Sequence, residues 1–417
     1  MSKVVIIGGG ASGIFSAISS SKMGKEVYII EKNDRLGKKL RITGKGRCNI
    51  TFAGDEKDFM NNILVNSKFL YSSYKTFNNQ DVLEFFKSIG VDSKLERGNR
   101  YFPTSDSATM LVEALIKEVK RLGIKVVYSA KVIDILTEEG KVSGVIYNKD
   151  NKNTKLAADK VIIATGGASY SSTGSTGDGY TLAKKLGHTI VDIKPALVPL
   201  KVLEEDEMQK LNPLSLRNVN VTIKNQGKEL YSGFGEMLFA TFGLTGPLVL
   251  SASSKISRVK NIEQNMKNKS IKLYIDLKPA LTEEKLDDRV QRDFEKYSNK
   301  EFQNSLGDLL PKKLIDIIIK RSKISPKKKV HQITKEERKN LVNVIKNLDY
   351  TLIDFLDLDL GIVTAGGVNV KEVNPKNMMS KKIEGLYFCG EVLDLDGYTG
   401  GFNLQIAFTT GYVAGMS

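Results

Sequence analysis

The alternation of apolar and polar residues is most informative at the start of the chain. Residues 3–7 form a short apolar run that suits a buried strand. Residues 14–23 are small and apolar without a helix breaker, which predicts a helix. Residues 25–31 predict a second strand that ends in an acid, Glu31. Strand, helix and strand in this order predict a βαβ unit with a parallel sheet.

A glycine-rich turn joins the first strand to the helix. Gly8, Gly10 and Gly13 have the spacing G-x-G-x-x-G in the context that a dinucleotide fingerprint requires. Gly8 allows a tight turn, Gly10 lets a diphosphate approach the backbone, and Gly13 lets the helix pack closely on the sheet. The helix N-terminus offers N–H groups and partial positive charge to the diphosphate. Glu31 stands where an acid meets the adenosine ribose, so the pattern favours dinucleotide binding over a glycine turn without a ligand.

The pattern then predicts helices and short strands. Residues 81–89 and 107–122 have amphipathic helical spacing, and residues 97–103 between them predict a turn with two arginines and two aromatic residues. This turn suits a substrate-facing loop and a packed surface turn equally well. Strands are predicted at 125–128, 131–136, 142–148 and 160–163, the last of which ends in Thr165-Gly166-Gly167.

Changes in the pattern divide the chain. Residues 1–194 are predicted to form the first part of a nucleotide-binding domain, and prolines near 195 mark its boundary. Residues 195–280 alternate as strands and predict a β-rich domain that contacts substrate. Residues 281–348 predict amphipathic helices that form an insertion, and residues 349–417 return to the nucleotide-binding domain.

Composition restricts the class of protein. The 417 residues carry a net charge of +15, but the lysines are scattered, so we expect solvated faces and no nucleic-acid partner. No apolar run is long enough for a membrane helix, and two cysteines indicate a reducing, cytoplasmic environment without disulfides. With only two histidines, His188 and His331, a histidine metal site is not expected, and the predicted metal content is none.

Two further segments carry candidate chemistry. Residues 32–49 are basic and glycine-rich, which suits a loop around a diphosphate or an anionic substrate. Residues 386–389 predict a strand, Gly390-Glu391 its polar end, and residues 402–414 a helix. The N-terminus of that helix can face the pyrimidine edge of a flavin, where its dipole favours the reduced, negatively charged form. Motifs near the N-terminal end of the chain therefore predict a site for the adenosine end of FAD, and motifs near the C-terminal end predict a site for its flavin ring.

At these motifs the chain resembles the aminoacetone-oxidase family of bacterial FAD-binding proteins, which includes flavoproteins assigned as 3-oxo bile-acid enone reductases. The segments that carry the resemblance are 8–13, 37–49, 164–167, 174–179, 243–247 and 390–405. It implies an α/β fold with a discontinuous, Rossmann-like FAD domain of the glutathione-reductase class, a β-barrel-like insert and a helical insert. Thr241 stands where many relatives have histidine, so a mechanism that uses that imidazole is in doubt.

The motifs and the resemblance together predict the site residues. Predicted cofactor contacts are Gly8, Gly10, Ala11, Ser12, Gly13, Glu31, Lys32, Lys39, Leu40, Gly46, Arg47, Cys48, Asn49, Val132, Ala164, Thr165, Gly166, Gly390, Glu391, Gly400, Gly401, Asn403, Leu404 and Gln405. Arg100, Tyr101 and Thr241 are predicted to contact substrate. Tyr398 is the predicted catalytic acid, because a phenol with a pKa near 10 can donate a proton while it is neutral at pH 7.

The predicted function is that of an FAD-dependent oxidoreductase. It passes a hydride between flavin and a small or steroid-like molecule, in the direction of enone or carbonyl reduction. One alternative is an oxygen-dependent amine oxidase, and another is an FAD-binding protein without turnover. One dinucleotide fingerprint is visible, so NAD(P)H is expected only as a transient electron donor. The expected partner is a small-molecule substrate and not a membrane, and the chain is expected to be a monomer or a homodimer.

Overall fold

A computed structural model describes residues 1–357 and 361–417. The described chain forms two compact units. The first unit contains Met1–Ala196 and Asp357–Ser417, and the second contains Leu197–Leu356. The first unit is therefore discontinuous, with its two segments separated in sequence by the second unit.

A parallel sheet lies at the centre of the first unit. Its strands are β1 (Lys3–Ile7), β2 (Glu26–Ile30), β6 (Lys125–Val127), β10 (Lys160–Ile163) and β19 (Leu386–Phe388). Their order is β19-β10-β1-β2-β6, and every neighbouring pair is parallel. Continuous apolar runs suit such strands because parallel sheets are covered on both faces. The predicted βαβ unit and the α/β fold class are confirmed.

Small residues bring the first and last helices together. Helices α1 (Ala11–Lys22) and α13 (Phe402–Met416) are in contact along their lengths. A Cβ atom on Gly411 would lie 2.4 Å from the Ser12 carbonyl oxygen, and one on Gly415 would lie 1.9 Å from Ser19 Oγ. Helix α1 begins three residues before the predicted start, because the fingerprint turn ends at Gly10.

The other elements of the first unit surround this core. Its remaining helices are α2 (Glu56–Asn61), α3 (Tyr71–Thr76), α4 (Asn79–Ser88), α5 (Ala108–Arg121) and α6 (Asp178–Lys185). The antiparallel groups are β3 (Thr51–Phe52) with β5 (Arg100–Pro103) and β4 (Ser93–Glu96), β7 (Lys131–Glu138) with β8 (Lys141–Lys149) and β9 (Lys152–Ala157), and β11 (Ile190–Ala196) with β18 (Val363–Val368). The predicted turn at 97–103 is wrong in its second half, because residues 100–103 pair with two strands.

The second unit is built on a closed barrel. Its strands are β12 (Leu200–Val202), β13 (Leu214–Asn225), β14 (Lys228–Ala240), β15 (Gly243–Thr245), β16 (Ile271–Asp276) and β17 (Leu348–Phe355). Its helices are α7 (Glu205–Leu211), α8 (Pro247–Ile256), α9 (Ile262–Lys267), α10 (Glu283–Lys296), α11 (Lys312–Ser322) and α12 (Lys335–Lys346). The closed barrel confirms the β-barrel-like insert. Strand β17 comes from the stretch that sequence assigned to the returning domain, so the structural boundary follows Leu356 instead of residue 348.

Two ionisable groups in the first unit couple its stability to pH. His188 is buried, and burial lowers its pKa although Glu372 opposes the shift. Burial raises the pKa of Glu372, but hydrogen bonds from Lys382 and Thr189 outweigh burial and hold that pKa at about 2. The unfolded chain therefore binds more protons than the native chain at acid pH, and stability falls as pH falls.

We expect the free energy of unfolding to decrease as pH drops below the ordinary pKa of histidine, about 6.5. The decrease should continue as pH falls from 4.5 towards 2, where Glu372 takes up its proton. Glu372→Gln should flatten the second part of this profile in urea unfolding experiments. Glu138→Gln, at an exposed position, is the matched control and should keep the slope of the original protein. An equal slope in both variants would contradict the assignment to Glu372.

Candidate cofactor and substrate site

The fingerprint glycines differ in what surrounds them. A Cβ atom on Gly8 would lie 2.7 Å from the Ala164 carbonyl oxygen, and one on Gly13 would lie 1.9 Å from the Gly8 carbonyl oxygen. Gly10, in contrast, would place its Cβ where no atom lies within 4 Å. Gly8 and Gly13 therefore hold the strand, turn and helix together, and Gly10 borders open space at the helix N-terminus.

The start of α1 has the properties of an anion site. Its N-cap is Gly10, without a side-chain cap, and its first turn contains no acidic residue. The first-turn N–H groups of Ala11, Ser12 and Gly13 have no carbonyl partner within the helix. The Ser12 side chain is buried near the Cys389 carbonyl oxygen, 3.5 Å away, so backbone groups are the donors that face the open side.

Glu31 ties the fingerprint to the end of β2. One carboxylate oxygen accepts a 2.6 Å hydrogen bond from the Gly9 amide, and the other accepts two 2.8 Å bonds from Asn33. A carboxylate has about four lone-pair positions, so acceptor capacity is left for a ribose hydroxyl. Asn33 also donates to the Thr173 carbonyl oxygen at 3.1 Å. The Glu31 carboxylate is therefore fixed by the fingerprint turn at Gly9 and by Asn33 in the loop after β2.

Lys32 is held by Thr176 and Asp178, in the glycine-rich segment that leads into α6. Its ammonium lies 2.6 Å from both Thr176 Oγ1 and Asp178 Oδ2, and Lys131 pairs with the other Asp178 oxygen at 3.0 Å. Val132 is buried in β7 next to Lys131. Lys32 thus joins β2 to the start of α6, and its charge is shared with an acid.

A half-buried ion pair connects three predicted segments. Lys39 Nζ lies 3.0 Å from Glu391 Oε2 and 2.9 Å from Ser169 Oγ. Glu391 Oε1 accepts a 2.8 Å hydrogen bond from the Thr364 amide, and Thr364 Oγ1 accepts one from Ala168 at the same distance. The basic loop, the loop after β10 and the Gly390-Glu391 turn are therefore one connected network.

Predicted cofactor residues of the basic loop, residues 32–49, differ in burial and in their partners. Arg47 is ion-paired with Glu96 and Asp106, and its guanidinium lies over the Phe102 ring. Asn49 Oδ1 is a buried acceptor without a hydrogen-bond partner among the described residues. A buried orphan acceptor needs a donor to offset its desolvation, which fits an absent ligand N–H or O–H group. Leu40 is buried, whereas Gly46 is exposed and open around its Cβ position.

The C-terminal motifs meet the fingerprint directly. A Cβ atom on Gly390 would lie 2.3 Å from Ser12 Oγ, and Gly401 would place one 2.6 Å from the Thr51 carbonyl carbon. Gly400 and Gly401 both have positive φ angles, 133° and 99°, and lead into α13. Ala164, Thr165 and Gly166 follow β10 beside Gly8. Close backbone approach at these positions explains why the segments are rich in glycine.

Helices α1 and α13 run in the same direction with an offset. Gly411 contacts Ser12, and Gly415 contacts Ser16 and Ser19, so residue numbers increase in the same direction along both helices. Helix α13 begins nine positions before Gly411, whereas α1 begins one position before Ser12, so the α13 start lies about 12 Å ahead of the α1 start at 1.5 Å per residue. The N-termini of the two helices thus point in the same direction, with the start of α13 ahead of the start of α1.

Side chains at the start of α13 are structural. Asn403 accepts from the Gly397 amide and donates to the Gly397 and Tyr398 carbonyl oxygens. Gln405 is buried, with Oε1 2.6 Å from Thr51 Oγ1 and Nε2 3.0 Å from Thr409 Oγ1. The Asn403 and Gln405 side chains are therefore engaged within the protein, so a cofactor at this turn would be bound by backbone groups, including that of Leu404.

The predicted substrate residues Arg100 and Tyr101 lie on opposite faces of one small sheet. Tyr101 pairs with Thr51 and Leu95, so its side chain lies on their face of the β3-β5-β4 sheet. Arg100 projects to the opposite face, because side chains alternate along a strand. Tyr398 is half-buried in the turn that Asn403 holds. Thr241 is exposed between β14 and β15 of the second unit.

The cysteines do not have the environment of a redox pair. Cys48 and Cys389 are both free and buried. Burial raises the pKa of Cys48 to about 12 and that of Cys389 to about 11, so both thiols stay protonated and unreactive. Double Cys→Ser protein should keep its flavin, and its turnover should stay within about threefold of the original. Loss of turnover with flavin retained would contradict this expectation.

Sequence reasoning missed several supporting residues. Asn33, Ser169, Asp178 and Thr364 hold the predicted segments together, but none belongs to the chemistry of the fingerprint. Asp178 carried a signal, because an acid after a Gly-rich loop often pairs with a basic neighbour. Thr364 carried none, since its partners come from distant parts of the sequence.

Known proteins are similar to this chain along nearly its whole length. The family model described as HI0933-like protein Rossmann domain matches residues 2–417. The chain is 32% identical to a 3-dehydro-bile acid delta(4,6)-reductase of Clostridium scindens, across 100% of this chain and 99% of that protein. It is 29% identical to a ribosomal RNA dihydrouridine synthase of Haemophilus influenzae, across 100% and 98%. A 3-ketosteroid-delta4-(5alpha)-dehydrogenase from Rhodococcus jostii has a similar fold, with a TM-score of 0.54, 14% identity and coverage of 100% and 96%.

Fold, site and relatives define a flavoprotein oxidoreductase. The chain belongs to the HI0933-like family. Within the described residues, no helix has the length and apolarity needed to cross a membrane. The expectations of an aminoacetone-type oxidase and of NAD(P)H as donor stay predictions.

Proposed function

We propose that this protein is an FAD-dependent reductase of carbon–carbon double bonds conjugated to a carbonyl group. The observation that supports FAD as the cofactor is a pair of helix N-termini that point in the same direction, one capped by Gly10 and the other by Gly401. The reaction is supported by what the relatives are named for. A 3-oxo-4,6-diene of a bile acid and the uracil ring of RNA both contain a double bond conjugated to a carbonyl.

The residues fit FAD at both ends. The amides at the start of α1 would hold the diphosphate, and Glu31 would accept from the ribose. Asn49 Oδ1 would gain the donor that it lacks, and the start of α13 would lie at the pyrimidine edge of the ring. When bound, FAD would supply two-electron chemistry, and its reduced form can deliver a hydride to the carbon β to the carbonyl. A helix dipole there contributes on the order of 1 kcal/mol in favour of the reduced form.

The protein must also deliver a proton to the carbon next to the carbonyl. We assign this role to Tyr398, because it directly precedes the Thr399–Gly401 turn at the start of α13. Its backbone is fixed from two sides, by the Asn62 carbonyl oxygen that accepts from its amide and by Asn403 that donates to its carbonyl oxygen. A neutral phenol supplies a proton without first being charged.

A uridine in RNA is the second candidate substrate. The observation that favours it is the name of the relative from Haemophilus influenzae. We place the steroid-like enone first because the bile-acid reductase is 32% identical, against 29% for the RNA enzyme. NADH or NADPH is proposed as the transient reductant.

Half-reactions of the purified flavoprotein separate these candidates. The flavin is reduced anaerobically by light and then mixed with 4-androstene-3,17-dione, with a uridine-containing RNA fragment, or with dissolved oxygen. Reoxidation by the enone that is much faster than by oxygen supports the proposal, and fastest reoxidation by RNA supports the second candidate. Efficient reoxidation by oxygen alone, with fast reduction by an amine, would favour the amine oxidase and overturn the proposal.

A further inference from the structure

One helical stretch of the second unit concentrates the positive charge of the chain. Residues 311–335, which include all of α11, contain nine lysine and arginine residues and a single acid, Asp316. Nine cations against one acid give this stretch a net charge of +8, out of +15 for the whole chain. More than half of the net charge therefore comes from a small part of the sequence.

Four of these nine cations have partners within the second unit. Arg321 lies 2.8 Å from Glu207 and 3.0 Å from Asp349, and Lys328 lies 2.7 Å from Glu337. Two further lysines donate to backbone carbonyl oxygens. The other five side chains are exposed and have no acid or hydrogen-bond partner among the described residues: Lys312, Lys320, Lys323, Lys327 and Lys335. These five charges are available to an anionic partner.

Two of the available lysines line a cleft of about 610 Å³ at the end of α11. Lys320 and Lys323 lie on its wall, and the buried side chains of Ile319 and Ile324 give it an apolar part. Asp316, one turn before Lys320, is the acid in its lining. The volume lies within the range of about 300–1,000 Å³ that is usual for ligand sites. We call this site the lysine cleft.

The surroundings of the lysine cleft fit a phosphate backbone better than a lipid surface. A helix that binds a lipid surface buries an apolar face in it, but no leucine, isoleucine or valine of residues 311–335 is exposed. The stretch also contains no phenylalanine, tyrosine or tryptophan on which a base could stack. Lysines without aromatic neighbours contact phosphates and do not read sequence.

We propose that the lysine cleft binds the phosphate backbone of RNA. Among polyanions RNA is the one with a role already considered, because a uridine in RNA is the second candidate substrate. Lys312, Asp316 and Lys320 are four residues apart and so lie on one face of α11, which extends the positive surface beyond the cleft. The inference goes beyond the proposed function, since binding of RNA here does not require that RNA is reduced.

Binding of a fluorescein-labelled RNA hairpin to the holoprotein, followed by fluorescence anisotropy at several KCl concentrations, tests the proposal. The association constant of the original protein should fall as salt rises, because bound phosphates release counterions. Lys320→Gln/Lys323→Gln should weaken binding roughly tenfold at low salt. It should also lower the slope of log association constant against log salt by about 1.5, since each lost phosphate contact removes about 0.7–0.9.

Lys149→Gln/Lys152→Gln is the matched control, because these two exposed lysines face each other across the β8-β9 pair and their loss changes the net charge equally. It should keep the original affinity within about twofold, with an unchanged slope. Flavin content and unfolding temperature show that both variants are folded, and glutamine has nearly the helix propensity of lysine.

Three results would overturn the lysine cleft as an RNA site. An equal loss of affinity in both double variants would show that only net charge matters. Absence of salt-dependent RNA binding by the original protein would remove the partner, while the proposed enone reduction would stand. Tighter binding of a DNA hairpin of the same sequence, or binding of phosphatidylserine vesicles that alone depends on Lys320 and Lys323, would assign the cleft to a different partner.

Discussion

Gly10→Val should yield a folded protein that no longer retains FAD. The backbone at Gly10 has φ −82° and ψ −168°, which a β-branched residue adopts readily, and no atom lies within 4 Å of its Cβ position. The added side chain therefore costs the fold little. It does occupy the space through which a diphosphate approaches the amides of α1, so FAD affinity should fall about a hundredfold or more, equivalent to ~2.7 kcal/mol.

Gly307→Val is the matched control, because a Cβ there also has open space and an ordinary φ angle. Flavin-to-protein ratios after gel filtration, and thermal unfolding of the apoproteins, measure the two effects separately. The apoprotein of Gly10→Val should unfold within about 1 °C of the original, a difference of about 1 kcal/mol or less in a chain of this size. A variant that keeps a full complement of flavin would show that the diphosphate does not bind at this helix end.

Tyr398→Phe should slow the transfer of electrons from reduced flavin to the enone by about 10²-fold, the usual contribution of a general acid. Flavin content and the rate of flavin reduction should stay close to the original, because the hydroxyl is removed without changing the ring or the backbone bonds to Asn62 and Asn403. Stopped-flow absorbance at the flavin band follows both half-reactions in the same preparation.

Tyr101→Phe is the control for loss of a phenol from the neighbouring sheet. It keeps the aromatic ring at position 101 and should change the rate by less than about threefold. A Tyr398→Phe rate equal to the original would remove Tyr398 from the mechanism. An equal loss in both half-reactions would show that the substitution disturbs the flavin site instead of proton delivery.

The nucleotide-binding framework could be predicted because its signals are local. An apolar run, a glycine spacing and an acid lie within one βαβ unit, and each has a steric or electrostatic reason to be there. These features need no knowledge of distant parts of the chain.

The substrate side was harder to predict because it depends on register. Adjacent Arg100 and Tyr101 look like one binding pair in the sequence, but pairing with β3 and β4 places them on opposite faces. The charge of Lys32 looked available for a diphosphate until Asp178, far along the chain, was seen to pair with it. Long-range partners decide whether a cation is free for a ligand.

A single anaerobic turnover of reduced holoprotein with 4-androstene-3,17-dione, followed by mass spectrometry of the steroid, tests most directly the proposal that this flavoprotein reduces a conjugated double bond. We expect one saturated ketone per reduced flavin, two mass units heavier than the enone, and reoxidised FAD. Reduced flavin that persists beside unchanged enone, while the same preparation is reoxidised rapidly by oxygen, would contradict it.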